Sequence, residues 1–399
     1  MRVVVASDKF KGTLTSAEVA DAVGAGVRRV HPDTTVVSVP VADGGDGTLS
    51  AAVAAGYTHV PVVASGPTGE PVSSGYARLG DTAVVELADV SGLVRLPGGI
   101  PAPLTATSYG TGELIAAALD AGCTRIILGI GGSASTDGGQ GLIDALGGRL
   151  SGNNSALRDE NLPESGLYVD TAALRRRLHG VEVVVACDVD NPLTGRRGAA
   201  TVYGPQKGAT PEQIVELDER LGRWADVVAE ATGVDLRDTP GAGAAGGVGF
   251  AALALLDAEL RPGIDLVLEM VRFREQLAGA DLVITGEGAL DEQTLNGKAV
   301  AGVAAAARTS STTLPAAAPS ATVPAAASST PIPVVAVCGV NRLGPDQLRA
   351  IGVSAAYALT DLEPDVRRCI AEPEPLLEQL GERIAVRHLT MTRRERGIA

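Results

Sequence analysis

Aspartates, lysines and small residues recur together in several short segments of this sequence, each following a run that reads as a buried strand. In Ser7-Asp8-Lys9-Phe10-Lys11-Gly12-Thr13 two ammonium groups stand just before a helix start, where free N–H groups beside lysines suit a phosphate or a carboxylate. Lys9 and Lys11 are therefore candidate catalytic residues. In Ala42-Asp43-Gly44-Gly45-Asp46-Gly47-Thr48 two carboxylates three residues apart can share a Mg²⁺ ion, which keeps most of its waters and needs only one or two protein oxygens. Asp43 is the candidate ligand. Asp46 is a candidate to accept a proton from an attacking hydroxyl. Asp-Gly pairs also form plain turns that cap helices, so the segment has a bland explanation beside the chemical one.

Gly129-Ile130-Gly131-Gly132-Ser133-Ala134-Ser135-Thr136-Asp137-Gly138-Gly139 leaves N–H groups and hydroxyls uncovered, which is how a loop cradles phosphates. Gly131, Gly132, Ser133, Ser135 and Thr136 are candidate nucleotide contacts, and Asp137 is a second metal candidate. Cys187-Asp188-Val189-Asp190-Asn191-Pro192 leads on to Tyr203-Gly204-Pro205-Gln206-Lys207-Gly208, placing a carboxylate, an amide and a lysine together as a substrate-facing loop would. Asp188 joins the catalytic candidates; Asn191 and Lys207 join the substrate-binding ones. Thr285-Gly286-Glu287-Gly288-Ala289-Leu290-Asp291, followed by Gln293 to Lys298, adds Glu287 to the nucleotide contacts and Asp291 to the substrate contacts. The G-x-x-x-x-G-K-[ST] signature is missing here, because Ala299 follows Lys298. Gly241 to Gly246 fits G-x-G-x-x-G, but no strand precedes it and the dinucleotide context fails. His31, His59, His179 and His388 lie outside all these segments, so any general base is expected to be a carboxylate and a histidine-based triad or zinc site is not expected.

The elements that must hold these segments read as α/β units. Val3 to Ala6 is a strand, and Thr15-Ser16-Ala17-Glu18 is a capping box opening a helix to about Arg29. Val36 to Val41 is a second strand. His59 to Ala64, Ser74 to Leu79 and Thr82 to Leu87 are separated by turn residues and predict antiparallel or mixed sheet. Strands follow at Arg125 to Gly129, Glu182 to Ala186, Asp281 to Thr285, Pro333 to Cys338 and Ser354 to Leu359. The predicted fold is α/β: a doubly wound parallel-sheet domain from both chain ends, residues 1–60 plus 280–385, with a mixed-sheet α/β domain, 61–279, inserted. Thr309 to Thr330, nearly all Ala, Ser, Thr and Pro, cannot bury enough apolar surface to order itself and reads as a disordered insertion.

Composition narrows the class. At 399 residues two cores are expected, and with 3% aromatics they must be built from Ala, Val, Leu and Ile. A net charge of -14 argues against nucleic acid. No apolar stretch is long enough for a membrane span or a signal peptide, and Cys123, Cys187, Cys338 and Cys369 form no Cys-x-x-Cys pair, which fits reduced core thiols in a cytoplasm. Only four of the 33 basic residues are lysines (Lys9, Lys11, Lys207 and Lys298), so each marks a place where a compact ammonium is wanted and a forked guanidinium is not.

Taken together, Ser7 to Thr13, Ala42 to Thr48, Ser108-Tyr-Gly-Thr-Gly-Glu113, Gly131 to Gly139, Asp188 to Leu193, Gly204-Pro-Gln-Lys-Gly-Ala209 and Thr285 to Asp291 resemble, in order and spacing over about residues 1 to 385, the bacterial glycerate kinase family. The resemblance implies ATP-dependent phosphorylation of D-glycerate, usually at the 2-hydroxyl, with Mg²⁺, in a two-domain α/β protein. On that reading Asp43 or neighbouring carboxylates hold the metal, Lys9 or Lys11 balances developing charge, Asp46 or Asp188 orients the hydroxyl, and Lys207 could hold the substrate carboxylate. The family commonly has a basic residue where Ala289 stands here. A kinase for another small hydroxy acid, a nucleotide-dependent oxidoreductase and a sugar-acid-binding regulator are the rival readings; self-association is left open.

Overall fold

The structure is a computed structural model that describes residues 1–152, 167–296, 298–309 and 331–389. In chain order its strands are β1 (Arg2–Ser7), β2 (Thr35–Ser38), β3 (Thr58–Ser65), β4 (Pro71–Leu79), β5 (Thr82–Glu86), β6 (Arg125–Gly129), β7 (Arg149–Gly152), β8 (Leu167–Asp170), β9 (Glu182–Ala186), β10 (Glu259–Arg261), β11 (Leu282–Leu290), β12 (Val334–Asn341) and β13 (Ala355–Ala358). The chain divides into two compact units, Met1–Asp43 with Ile264–Ala399, and Gly44–Gly263. The first boundary falls earlier than the expected 60/61 because the helix Thr48–Ala54 packs on β4 and β5, and the second falls at 263/264 where 279/280 was expected. The predicted insertion at Thr309 to Thr330 lies outside the described residues, apart from Thr309, the last residue of a helix.

The first unit is a parallel sheet in the order β13-β12-β11-β1-β2. Val3, Val5, Leu282, Ile284, Val335 and Val337 share a core with the helices Ser16–Val30 and Pro373–Ile384. The alternate residues Val4, Val283 and Ala336, fully buried, point to the other face, where the helix Ala299–Thr309 lies against β11, β1 and β12. The sheet is thus covered on both sides, as the apolar runs require. Thr15 caps the first helix as expected, its hydroxyl accepting from the Glu18 N–H while the Glu18 carboxylate accepts from the Thr15 N–H. From β1 the chain winds one way to β2, and from β11 the other way to β12. The neighbouring carboxyl ends of β1 and β11 therefore form a switch point, where an open α/β sheet leaves a crevice for a ligand.

The second unit holds a mixed sheet in the order β10-β9-β6-β5-β4-β3, with β10, β9, β6 and β5 parallel and the β5-β4-β3 end antiparallel. Its main core is aliphatic, from Val85, Leu114, Ile126, Leu128, Leu142 and their neighbours, with Tyr76 the largest fully buried side chain. Register aligns Glu86 of β5 with Gly129 of β6 and Gly129 with Ala186 of β9. One row of residues therefore launches three loops. Trp224 is core, 3% exposed, its indole N–H donating to the Gly138 carbonyl. Cys123, Cys338 and Cys369 are buried free thiols, while Cys187 is only half-buried at the end of β9. Among the described residues no helix is long and apolar enough to cross a membrane.

Candidate functional site

In the first unit, the Asp8 N–H donates to the Gly286 carbonyl at 2.8 Å and ties the loop after β1 to β11. Asp8 itself is 7% exposed. Its carboxyl is pushed up to about 7, first by burial and then by the negative charge of Asp43; the Lys9 N–H, 2.7 Å from Oδ1, and the Lys9 ammonium pull the other way. Glu287 adds to the repulsion. That residue is also raised by burial, with Asp291 and Asp43 adding to it, while the Thr294 hydroxyl donating at 2.6 Å and the Lys298 charge oppose. Lys9, Asp43, Glu287 and Asp291 thus share one electrostatic neighbourhood. Lys11 is exposed, with only its backbone nitrogen near Gly288.

Glu287 is not on a loop, as the glycines around it suggest, but on a strand. β11 continues to Leu290 because β12 pairs with it throughout, Glu287 opposite Cys338. Parallel pairing outweighs the weak strand preference of Gly286 and Gly288.

In the second unit, the segment from Gly44 to Thr48 lies across the row of strand ends. A Cβ on Gly44 would stand 2.5 Å from the Ala186 methyl, one on Gly129 2.7 Å from the Gly44 carbonyl oxygen, and one on Gly131 2.6 Å from the Gly45 Cα. These glycines let two loops touch backbone to backbone. Asp46 is exposed at the outer side of the segment. Glu86, 5% exposed, accepts from the N–H groups of Gly47 at 3.2 Å and Leu49 at 2.9 Å, so a strand-end carboxylate caps the helix that Asp46 precedes. Burial raises its pKa to about 7, offset by those N–H groups and reinforced by Asp46.

The loop after β6 carries its candidates inward. Ser133, Ser135 and Thr136 are 5%, 0% and 4% exposed, and the Ser135 and Thr136 hydroxyls have no hydrogen-bond partner. Lys207 is 2% exposed and donates to the Ser133 hydroxyl at 2.8 Å and the Ser135 carbonyl at 2.5 Å. Its ammonium therefore meets the glycine-serine loop, where the sequence suggests a hold on a substrate carboxylate. Asp137, the second metal candidate, has its oxygens engaged: Oδ2 accepts from the Ser108 N–H and hydroxyl, both at 2.8 Å, and Oδ1 from the Gly139 N–H at 3.1 Å. Its lone pairs anchor the loop. Asn191 is likewise engaged, donating to the Arg197 carbonyl at 2.8 Å and accepting from the Tyr203 hydroxyl at 2.6 Å. Asp188, exposed at the end of β9, accepts from the Gly263 N–H at 2.8 Å.

Asp46, the Gly131 to Thr136 loop, Asp188 and Lys207 thus gather at one sheet edge of the second unit, and Lys9, Asp43, Glu287 and Asp291 at one edge of the first. Sequence reasoning missed Asp8 and Glu86 as members. Glu86 had a signal, a lone carboxylate closing a β-branched run; its partners at 47 and 49 become visible only through folding. Among the described residues no three His, Cys, Asp or Glu side chains converge to hold a metal unaided.

The model of the glycerate kinase family matches residues 3–323 and 311–389. A glycerate kinase of Bacillus subtilis (strain 168) is 48% identical over 317 residues, 77% of this chain and 82% of that protein. A glycerate 2-kinase of Escherichia coli (strain K12) is 46% identical over 316 residues, with the same shares covered. A crystal structure provisionally named glycerate kinase 2, from Salmonella typhimurium LT2, superposes with a TM-score of 0.77 at 38% identity, covering 99% of both chains.

Proposed function

The chain belongs to the glycerate kinase family, and we propose that it transfers the γ-phosphoryl group of ATP to the 2-hydroxyl of D-glycerate. The observation that carries this reading is the row Glu86, Gly129 and Ala186, which brings a carboxylate-bearing loop against a glycine-serine loop at one sheet edge. Phosphoryl transfer needs little covalent chemistry from the protein; it needs donors for phosphate oxygens, a base or orienting group for the hydroxyl, and cations.

In this proposal the Gly131 to Thr136 loop receives phosphate oxygens through backbone N–H groups and hydroxyls. Asp46, exposed and set on a capped helix start, takes the proton of the attacking hydroxyl; Asp188 orients the acceptor. Lys9 offsets charge developing on the transferred group. Mg²⁺ supplies charge neutralisation of the polyphosphate when bound. The first unit suits it: a buried Asp8 already crowded by Asp43 and Glu287 is relieved by a divalent cation, and Mg²⁺ needs only one or two such oxygens. Asp43 and Asp8 would hold it. An enzyme drawing on ATP in this way is placed in the cytoplasm.

The test is ATP consumption by the purified protein across D-glycerate, hydroxypyruvate and other small hydroxy acids, with ³¹P NMR locating the phosphorylated carbon. Turnover confined to another acid, or phosphate on the 3-hydroxyl, overturns the corresponding part.

A further inference from the structure

The second unit buries a whole lysine where the family-based reading wanted a substrate hand. We propose that Lys207 is a positioning residue of the glycine-serine loop: its ammonium, seated behind the loop, orients the Ser133 hydroxyl and Ser135 carbonyl so that the loop's remaining donors meet an anionic phosphate oxygen. The inference rests on the kinase reading above and deepens it.

The local backbone fixes where the ammonium goes. Lys207 ends the short 3-10 turn Pro205–Lys207, and Gly208 follows in the left-handed region at φ 84, so near Pro101 that a Cβ would stand 2.4 Å from its ring. The side chain is 2% exposed, and among the described residues no carboxylate forms an ion pair with it. Asp137 is the charge that favours its protonation, yet both Asp137 oxygens are occupied by Ser108, Gly139 and Gly141. A buried cation with no pairing anion is costly unless an anion arrives.

Hydrogen-bond accounting shows where that anion fits. The Ser133 oxygen accepts from Lys207, so its own O–H has to point elsewhere than at the lysine. Ser135 and Thr136, on the same loop, each carry a buried hydroxyl without a partner. Hydroxyls left in this state cost free energy until an acceptor comes to them. A phosphate oxygen offers several lone pairs and a charge to match the ammonium. Arginine would not serve: its planar fork is larger and cannot present a single point of charge behind a tight turn. The scarcity of lysine, four against 33 basic residues in all, agrees with a specific demand here. Burial also pushes the ammonium's pKa down to about 7, so an anion at the loop would draw a proton onto it.

The decisive comparison is between wild type and Lys207→Met, measured by calorimetric titration with ADP and with pyrophosphate and by steady-state kinetics. The expected result is binding weakened by about tenfold or more for both ligands. With it go a fall in kcat and a KM for glycerate that stays within about twofold, since the lysine touches the loop and not the acceptor. Lys207→Ala supplies a second route: ethylammonium in the buffer should restore part of the ADP binding, which a merely structural strut would not show, and this decides the matter if the Met variant does not fold. Unchanged ADP and pyrophosphate binding in Lys207→Met, or no amine rescue in a folded Lys207→Ala, overturns the assignment while the kinase reading stands. A wild-type protein that binds neither ADP nor pyrophosphate removes the kinase reading and this inference with it.

Discussion

At the carboxyl edge of the first sheet, Asp8, Asp43 and Glu287 press negative charge into partly buried space, and burial raises the carboxyls of Asp8 and Glu287. At the strand-end edge of the second sheet the buried groups are the Ser133, Ser135 and Thr136 hydroxyls, the Lys207 ammonium and the Glu86 carboxylate held by two backbone N–H groups, with the exposed Asp46 and Asp188 at the rim. At the first edge burial and mutual repulsion outweigh the Lys9 and Lys298 charges, and at the second burial works against the Lys207 ammonium. A divalent cation would relieve the carboxylates of the first edge, and an anionic phosphate oxygen would match the ammonium of the second. Both strained edges sit on sheets whose interiors are plain aliphatic core, so the strain is confined to the ends of strands.

The largest expected effect tests which edge holds the base. Asp46→Asn should lower kcat by about 10²- to 10⁴-fold, with little change in ADP affinity or melting temperature, because Asp46 is exposed and Glu86 keeps the capping. Activity within about threefold of wild type would move the base to Asp188 or to the first unit's carboxylates. Next comes Gly131→Ala, whose new methyl would stand 2.6 Å from the Gly45 Cα. Backbone cannot yield as a side-chain tip does, so a loss of about 1–3 kcal/mol in stability is expected. A parallel drop in kcat/KM of about tenfold or more follows from the displaced loop. An unchanged crystal structure and rate for this variant would break the claim that the two loops are pressed together.

Much of this was legible from residues alone, and the failures share a cause. β6 and β9 end where the sequence ends them, at Gly129 and Ala186, because β-branched runs meet polar small residues there. Thr15 announces its helix by a local hydrogen-bond pattern that needs no tertiary help. β11 outruns its expected end at Thr285 because pairing with β12, nearly fifty residues further on, decides the matter. Asp137 and Lys207 stand out in the sequence, but the side-chain partners that the structure gives them do not. Burial and partner geometry at Ser108 and Ser135 turn both side chains inward, and no sequence spacing encodes that turn.

The charge contrast also predicts a pH dependence of stability in metal-free, nucleotide-free buffer. Asp8 and Glu86 have folded-state values of about 7 against ordinary values of 3.8 and 4.5, so the folded state holds extra protons in that window. Stability should fall as pH rises from about 4 to 7. Lys207 runs the other way: its folded value of about 7 lies below the ordinary 10.5, the unfolded state holds the extra proton, and stability should rise from about pH 7 to 10. A minimum near neutrality results. Asp8→Asn should raise stability at pH 7 to 8 by about 1–3 kcal/mol and flatten the lower limb, while Lys207→Met flattens the upper limb alone. Denaturant titrations at intervals of pH decide this, and a wild-type profile with its maximum at pH 7 and no response to either substitution would contradict the contrast.

The smallest effect supplies the control for the others. Thr15 caps the first unit's leading helix and touches neither cluster, since its hydroxyl accepts from the Glu18 N–H and its own N–H donates to the Glu18 carboxylate. Thr15→Ala removes one side of that reciprocal pair and should cost about 1 kcal/mol of stability. Because the helix packs through Val19, Val23 and Val27 on the β1 and β11 core, the loss is of the scaffold and not of the strand ends. The expected kinetics are therefore those of wild type at temperatures well below melting, for ATP and for glycerate alike. If kcat fell along with stability, the clusters at the strand ends would depend on helix position far more than the hydrogen bonds around Asp8 and Glu287 indicate, and the separation of scaffold from site in the first unit would have to be abandoned.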